Sequence, residues 1–228
     1  QGPILPLIVK FSLPLLMGNL FQQTYNLVDT AIVGQTLGAK ALAAVGSSTS
    51  IQFLVMGFCI GMSLGFSIPV GQRFGAKDYS GMHRYEYAGG ILAALFAALV
   101  TLLTTVFCNH ILHLLQVPEE IFHDAWVYLI IIFCEIPFTV MYNYLAGLMR
   151  AIGDSKTPFI YLAVASVLNI GLDFLFIVNV GMGVAGAALA TVLSQALLAL
   201  LCLYAVARRY DVLHIEEKAL SLIHISEP

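Results

Sequence analysis

Asn169 and Asp173 stand four residues apart inside an apolar run, a separation that puts an amide and a carboxylate on one helix face, where both can serve one site. Polar and ionisable groups within a membrane-length apolar segment are expensive, so each is a candidate for function. A second carboxylate, Asp29, belongs to a polar series formed by Asn19, Gln22, Gln23, Asn26, Asp29 and Thr30. At about 100° per residue these positions fall within an arc of roughly 120°. Such a stripe faces a wet cavity or another polar helix. Hydrogen bonding between helices also uses Asn and Gln, but a stripe this dense, with a carboxylate in it, favours the cavity.

Depth follows from the helical rise. Asp173 lies about 9 Å from the end of its span near Asn179, Asp29 about 8 Å from the end of its own near Gly34, and Thr191 about 12 Å inside the last span. Carboxylates, amide and hydroxyl thus reach one level of the membrane. Two buried carboxylates that close together cannot both ionise cheaply unless a cation neutralises them, so the set reads as a cation or proton site that exchanges Na⁺ or H⁺ as its access changes. Glu135, in Cys134-Glu135-Ile136-Pro137, shares a face with Tyr128 and Thr139 beside a proline that can kink its helix. It either serves the site or lines an aqueous opening. His110 and His113 have metal-ligand spacing but no third ligand, and read as interfacial residues.

These groups must be carried by membrane helices. The chain has 228 residues, 60% hydrophobic and 10% charged, with a mean hydropathy of +0.91, which excludes soluble, disordered and coiled-coil chains. A net charge of −3 leaves no basic surface for nucleic acid. Cys59, Cys108, Cys134 and Cys202 lie in apolar runs without CxxC spacing and read as reduced packing residues. Six spans are expected, at about Leu7–Gly34, Ser47–Val70, Tyr85–Phe107, Ile121–Met149, Pro158–Asn179 and Val184–Ala207. Basic residues fall on one side of this frame: Lys10, the connectors with Arg73, Lys77, Arg84, Arg150 and Lys156, and the tail with Arg208, Arg209 and Lys218. Lys40 alone is on the other. Both ends therefore point to the cytoplasm, as an even number of spans requires.

Local signals place Thr157 as an N-cap before Pro158, and small residues at Gly57, Gly61, Gly65, Gly186, Ala187 and Ala190 suggest close helix packing. No phosphate loop (GxxxxGK[ST]) or HExxH helix is present.

The chain resembles the N-terminal six-helix lobe of the multidrug and toxic compound extrusion (MATE) transporters, of the bacterial and archaeal type. The resemblance is carried in order by Phe21-Gln22-Gln23-Thr24-Tyr25-Asn26-Leu27-Val28-Asp29-Thr30, Ala43-Ala44-Val45-Gly46, Gly71-Gln72-Arg73-Phe74-Gly75-Ala76-Lys77, Tyr142-Asn143, the stretch from Arg150 to Pro158, and Leu168-Asn169-Ile170-Gly171-Leu172-Asp173. It implies an all-α polytopic membrane protein, one lobe of a twelve-helix, two-lobe antiporter in the cell membrane. Such a protein expels amphipathic, often cationic organic compounds in exchange for Na⁺ or H⁺ and uses no other cofactor. The coupling site implied by the family matches Asp29, Asn169, Asp173 and Thr191, with Tyr128 as a further wall. Gln22, Asn26 and Asn143 match the substrate cavity. Glu135 departs from the family, which usually has a small residue before that proline, and is assigned to the cavity as a modifier of local charge.

Residues 1–209 read as this lobe, and its partners are the bilayer, the drug-like substrate and a missing C-terminal lobe. Residues 210–228 read as a cytoplasmic linker followed by a non-native tail, since Ser221 to Pro228 does not resemble the family's next helix. A lipid-linked oligosaccharide flippase of the same superfamily is the alternative, although no Lys or Arg is expected inside a span. A membrane-embedded enzyme ranks below both, because no nucleophile or resident metal constellation accompanies the acids.

Overall fold

The computed structural model describes residues 4–210 and Leu213; the rest of the expected linker and tail lies outside the described residues. Among the described residues all regular structure is helical: α1 Ile4–Leu37, α2 Ala39–Gly75, α3 Tyr79–Leu114, α4 Glu119–Phe133, α5 Ile136–Ala151, α6 Lys156–Asp173 and α7 Val184–Arg209. A π-helical turn, Phe174–Asn179, continues α6. Five stretches of the described residues are long and apolar enough to cross a membrane: α2, α3, α4 with α5, α6 with its π turn, and α7. The first expected span falls on the 34-residue α1, with Pro14 inside it, which is not among these five.

The fourth pass is broken where the sequence suggests a kink. Proline lacks a backbone N–H and its ring crowds the carbonyl four residues back; with Pro137 in place, α4 stops at Phe133 and α5 restarts at Ile136. The Glu135 amide closes the intervening turn on Ile132 O at 2.9 Å. Cys134 at this break is exposed, unlike Cys59, Cys108 and Cys202, so only those three pack as expected.

The turn into α6 also differs from expectation. The helix begins at Lys156, and Asp154, not Thr157, does the capping. Its Oδ1 accepts from the amides of Lys156 (2.9 Å) and Thr157 (3.0 Å), while Oδ2 accepts from the hydroxyls of Thr157 and Tyr210. A carboxylate has two oxygens to offer the orphan donors of a first turn and favours the positive end of the helix dipole. Burial works to raise the Asp154 pKa, but the hydrogen bonds from Tyr210, Thr157 and Lys156 outweigh it and hold the group below the usual carboxylate value.

Within a bilayer, tails are as apolar as leucine, so close backbone approach rather than area burial drives helix packing. α2 packs against α5 and α3, α6 against α7 and α1, and α5 against α7. The tightest approaches are not those expected. A Cβ on Gly147 of α5 would collide with Ser67 of α2, and one on Gly89 of α3 would stand 2.9 Å from the Tyr144 hydroxyl and 3.2 Å from Phe66 O. Gly186 of α7 does sit against Met182 and Phe176, but Gly57, Gly61 and Gly65 have no atom near their absent Cβ and form an open strip on α2. α3 carries an exposed row of Leu92, Leu95, Leu99, Leu102 and Val106, suited to lipid. A second, smaller core joins Ile32 and Val33 of α1 to Val45, Tyr128, Ile132, Val184 and Ala187.

Candidate functional site

Ser166, Asn169 and Asp173 lie on one face of α6, and Thr191, Ser194 and Gln195 on one face of α7. The hairpin joining the two helices turns these faces together. The Asn169 Nδ2 donates to Thr191 Oγ1 at 3.5 Å, the long limit of a hydrogen bond. Asp173 is fully buried and Asn169 nearly so; Asp173 is also the last residue before the π turn, a departure from α geometry that recurs at functional sites. Asp29 reaches the group from α1 and lies within electrostatic range of Asp173. Tyr128, buried on α4, is in range of Asp29, Glu135 and Asp173 together. The structure thus brings Asp29, Tyr128, Asn169, Asp173 and Thr191 into one neighbourhood.

What marks this neighbourhood is missing partners. Asp29 Oδ1, Asn169 Oδ1 and both carboxylate oxygens of Asp173 are buried without a hydrogen bond among the described residues. Most buried side-chain polar atoms have a partner, and each exception calls for a reason. An array of unpartnered anionic and carbonyl oxygens is what a hard cation or a proton can satisfy.

A small cavity of about 10 Å³ adjoins this group, walled by Tyr25, Ser166, Asn169, Thr191, Ser194 and Gln195. It is about the size of one water-sized particle. A larger cavity of about 370 Å³ opens beside it between α1, α2, α5 and α6, within the range of small-molecule sites. It contains the expected Gln22 and Asn143, together with Asn19, Tyr142, Arg150 and Phe159, and Leu162 lines both cavities.

Asn26 lies on neither cavity; it stands on the exposed face of α1 with Asn19, Gln23 and Thr30, while Gln22 and Asp29, at one edge of the stripe, turn inward. Glu135 is also absent from the larger cavity wall. It is buried, and its Oε1 accepts from Thr139 Oγ1 at 2.8 Å; Thr139 Oγ1 in turn accepts from Gln195 Nε2 at 3.3 Å. Arg150, expected in a connector, occupies the last turn of α5 and contributes a half-buried guanidinium to the larger cavity. The sequence already sets Thr139 on the face of Glu135, whereas Tyr25, Gln195 and Arg150 are additions that residue type alone did not single out. Of these, only Gln195, a polar residue in an otherwise apolar helix, left a signal in the sequence.

The MatE family pattern matches residues 14–175. "Probable multidrug resistance protein YpnP" of Bacillus subtilis (strain 168) is 38% identical over 202 residues, which are 86% of this chain and 44% of that relative. "Multidrug export protein MepA" of Staphylococcus aureus (strain NCTC 8325 / PS 47) is 27% identical over 221 residues, 96% of this chain and 48% of the relative. Among solved structures, that of MATE in the bent conformation superposes with a TM-score of 0.84 at 27% identity, over 96% of this chain and 50% of that one. The chain spans about half the length of the relatives it matches.

Proposed function

This chain belongs to the MATE family, and we propose that it forms one six-helix lobe, residues 1–209, of an antiporter that expels amphipathic organic cations in exchange for Na⁺ or H⁺. The reading rests above all on the buried, unpartnered oxygens of Asp29, Asn169 and Asp173. These residues, with Thr191 and Tyr128, hold the coupling cation or proton. A cation entering the site gives each orphan oxygen a partner, and a proton does so for one carboxylate at a time. The cavity with Gln22 and Asn143 takes the organic substrate, in concert with a second lobe. Both ends of the lobe face the cytoplasm, and residues from 210 onward begin the linker to the second lobe.

Efflux of a cationic dye from proteoliposomes carrying the two-lobe protein tests the proposal. Efflux driven by an imposed Na⁺ or pH gradient is expected. No efflux under either gradient would defeat it. One observation favours a second reading, a flippase of lipid-linked oligosaccharides: Arg150 lines the larger cavity, where a phosphate-bearing cargo would need a cation. Transport of such a lipid, without dye efflux, would select it.

A further inference from the structure

In the small cavity beside the carboxylates, which Tyr25, Leu162 and Ala165 also wall, the protons of the Ser and Thr hydroxyl groups are already committed. Ser166 Oγ donates to Leu162 O (2.8 Å), Thr191 Oγ1 to Ala187 O (3.1 Å) and Ser194 Oγ to Ala190 O (2.7 Å). Each hydroxyl spends its proton on the carbonyl four residues back, a common arrangement for Ser and Thr in helices. A hydroxyl so committed has only lone pairs left for the cavity. Asn169 spends Nδ2 on Thr191 and retains an unpartnered, buried Oδ1.

Gln195 follows the same rule through a longer chain. Thr139 gives its proton to the Glu135 carboxylate, so its oxygen can only accept, and it accepts from Gln195 Nε2. An amide that donates through its nitrogen keeps its oxygen as an acceptor, and Gln195 lines the cavity. Glu135, at the break between α4 and α5, thereby orients a cavity ligand on α7 without touching the cavity.

We propose that this cavity is a second station for the coupling cation, in which Na⁺ is held by neutral oxygens of Ser166, Asn169, Thr191, Ser194 and Gln195. Asn169 and Thr191 are shared with the carboxylate site, and the new ligands extend it by about 10 Å along α6, the rise from Ser166 to Asp173. The geometry assigns Glu135 and Thr139 as positioning residues for Gln195. A monovalent ion suits a cavity with no carboxylate in its wall, since a divalent one calls for anionic ligands or retained waters. The inference rests on the coupling-site reading above, to which it adds ligands and a route toward the cytoplasmic end.

The test is ²²Na⁺ equilibrium binding to the 228-residue chain in nanodiscs. Thr139→Val keeps the shape of the side chain but cannot relay, and Ser166→Ala with Ser194→Ala removes two acceptors. Either change is expected to weaken Na⁺ binding by about fivefold or more, on the order of one lost hydrogen bond or ligand. Thr139→Ser, which keeps the hydroxyl, is expected to retain wild-type affinity, so a loss in Thr139→Val cannot be put down to folding. Asp29→Asn with Asp173→Asn separates the two readings. If that pair abolishes binding while Thr139→Val and the serine pair bind like wild type, the second station is overturned and the coupling reading stands. If the aspartate pair binds like wild type while Thr139→Val does not, the carboxylate reading fails and the station stands alone. Absence of Na⁺ binding by the wild-type chain overturns the station outright.

Discussion

Asn169 on α6 donates its amide to Thr191 on α7 across 3.5 Å and leaves its own carbonyl oxygen buried with nothing to accept. A residue that were merely holding two helices together would have both ends of its amide satisfied, since a buried unpartnered acceptor costs about 1–3 kcal/mol. The cost is tolerable where an ion visits. Asp173, one turn further along α6, and Asp29 on α1 share the same condition, which makes the unpaired oxygens a property of a site and not of one side chain.

On the proposed function, removing either carboxylate is expected to remove coupling before it harms the fold. Asp29→Asn and Asp173→Asn in the two-lobe protein are expected to abolish cation-driven dye efflux in proteoliposomes while membrane yield and melting temperature stay at or above wild type. Efflux at the wild-type rate in both variants would disprove the assignment.

The glycine pattern makes a stability prediction with an internal control. Gly147→Val places side-chain atoms where Ser67 already sits, and overpacking of this kind costs about 1–3 kcal/mol. Gly61→Ala puts a methyl group into open space and should leave this chain within about 0.5 kcal/mol of wild type. Thermal melting of both variants in detergent measures the contrast.

Asp154 links the α5–α6 turn to pH. Its folded-state pKa lies below the ordinary value, so it contributes stability that is present above the unfolded pKa and is lost as pH falls through the folded one. Asp154→Asn should cost about 1 kcal/mol at neutral pH, because an amide nitrogen in place of Oδ2 cannot accept the Thr157 and Tyr210 hydroxyls. The penalty should shrink in acid, so melting curves of variant and wild type converge as pH is lowered below the carboxylate range. A penalty that stays constant across that range would show that the cap is not held by its charge.

Topology is open to labelling. Lys40 and Lys77 are both exposed, one in α2's first turn and the other just beyond its end. In a cysteine-free background, Lys40→Cys should react with an impermeant maleimide added to intact cells. Lys77→Cys should react only once the membrane is opened. The reverse pattern would invert the orientation read from the basic residues.

Much of the fold was legible before any coordinates, for particular reasons. Apolar runs long enough to span a bilayer announce helices by themselves, because no other open structure satisfies its backbone in lipid. The break at Glu135 follows from Pro137, and the shared face of Asn169 and Asp173 from the period of the helix. The α6 cap was misplaced by a few residues because Thr157 and Asp154 both have capping chemistry, and only the backbone path shows which oxygen reaches the free amides. Gly57, Gly61 and Gly65 looked like packing residues because their spacing is right, yet Gly147 and Gly89 make the close contacts.

The amino-acid sequence by itself determined that this is an all-helical membrane protein and which charged groups are out of place in it, since both depend on residue type and on periods that every helix shares. The tertiary structure alone decided how neighbouring helices are rotated about their axes. That rotation aims Ser166, Ser194 and Gln195 at one cavity, joins Glu135 to Gln195 through Thr139, and brings Arg150 to a cavity wall. Serine, threonine and glutamine read alike as packing or as ligands until the partner of each proton is known, and those partners are set by contacts between segments far apart in the chain.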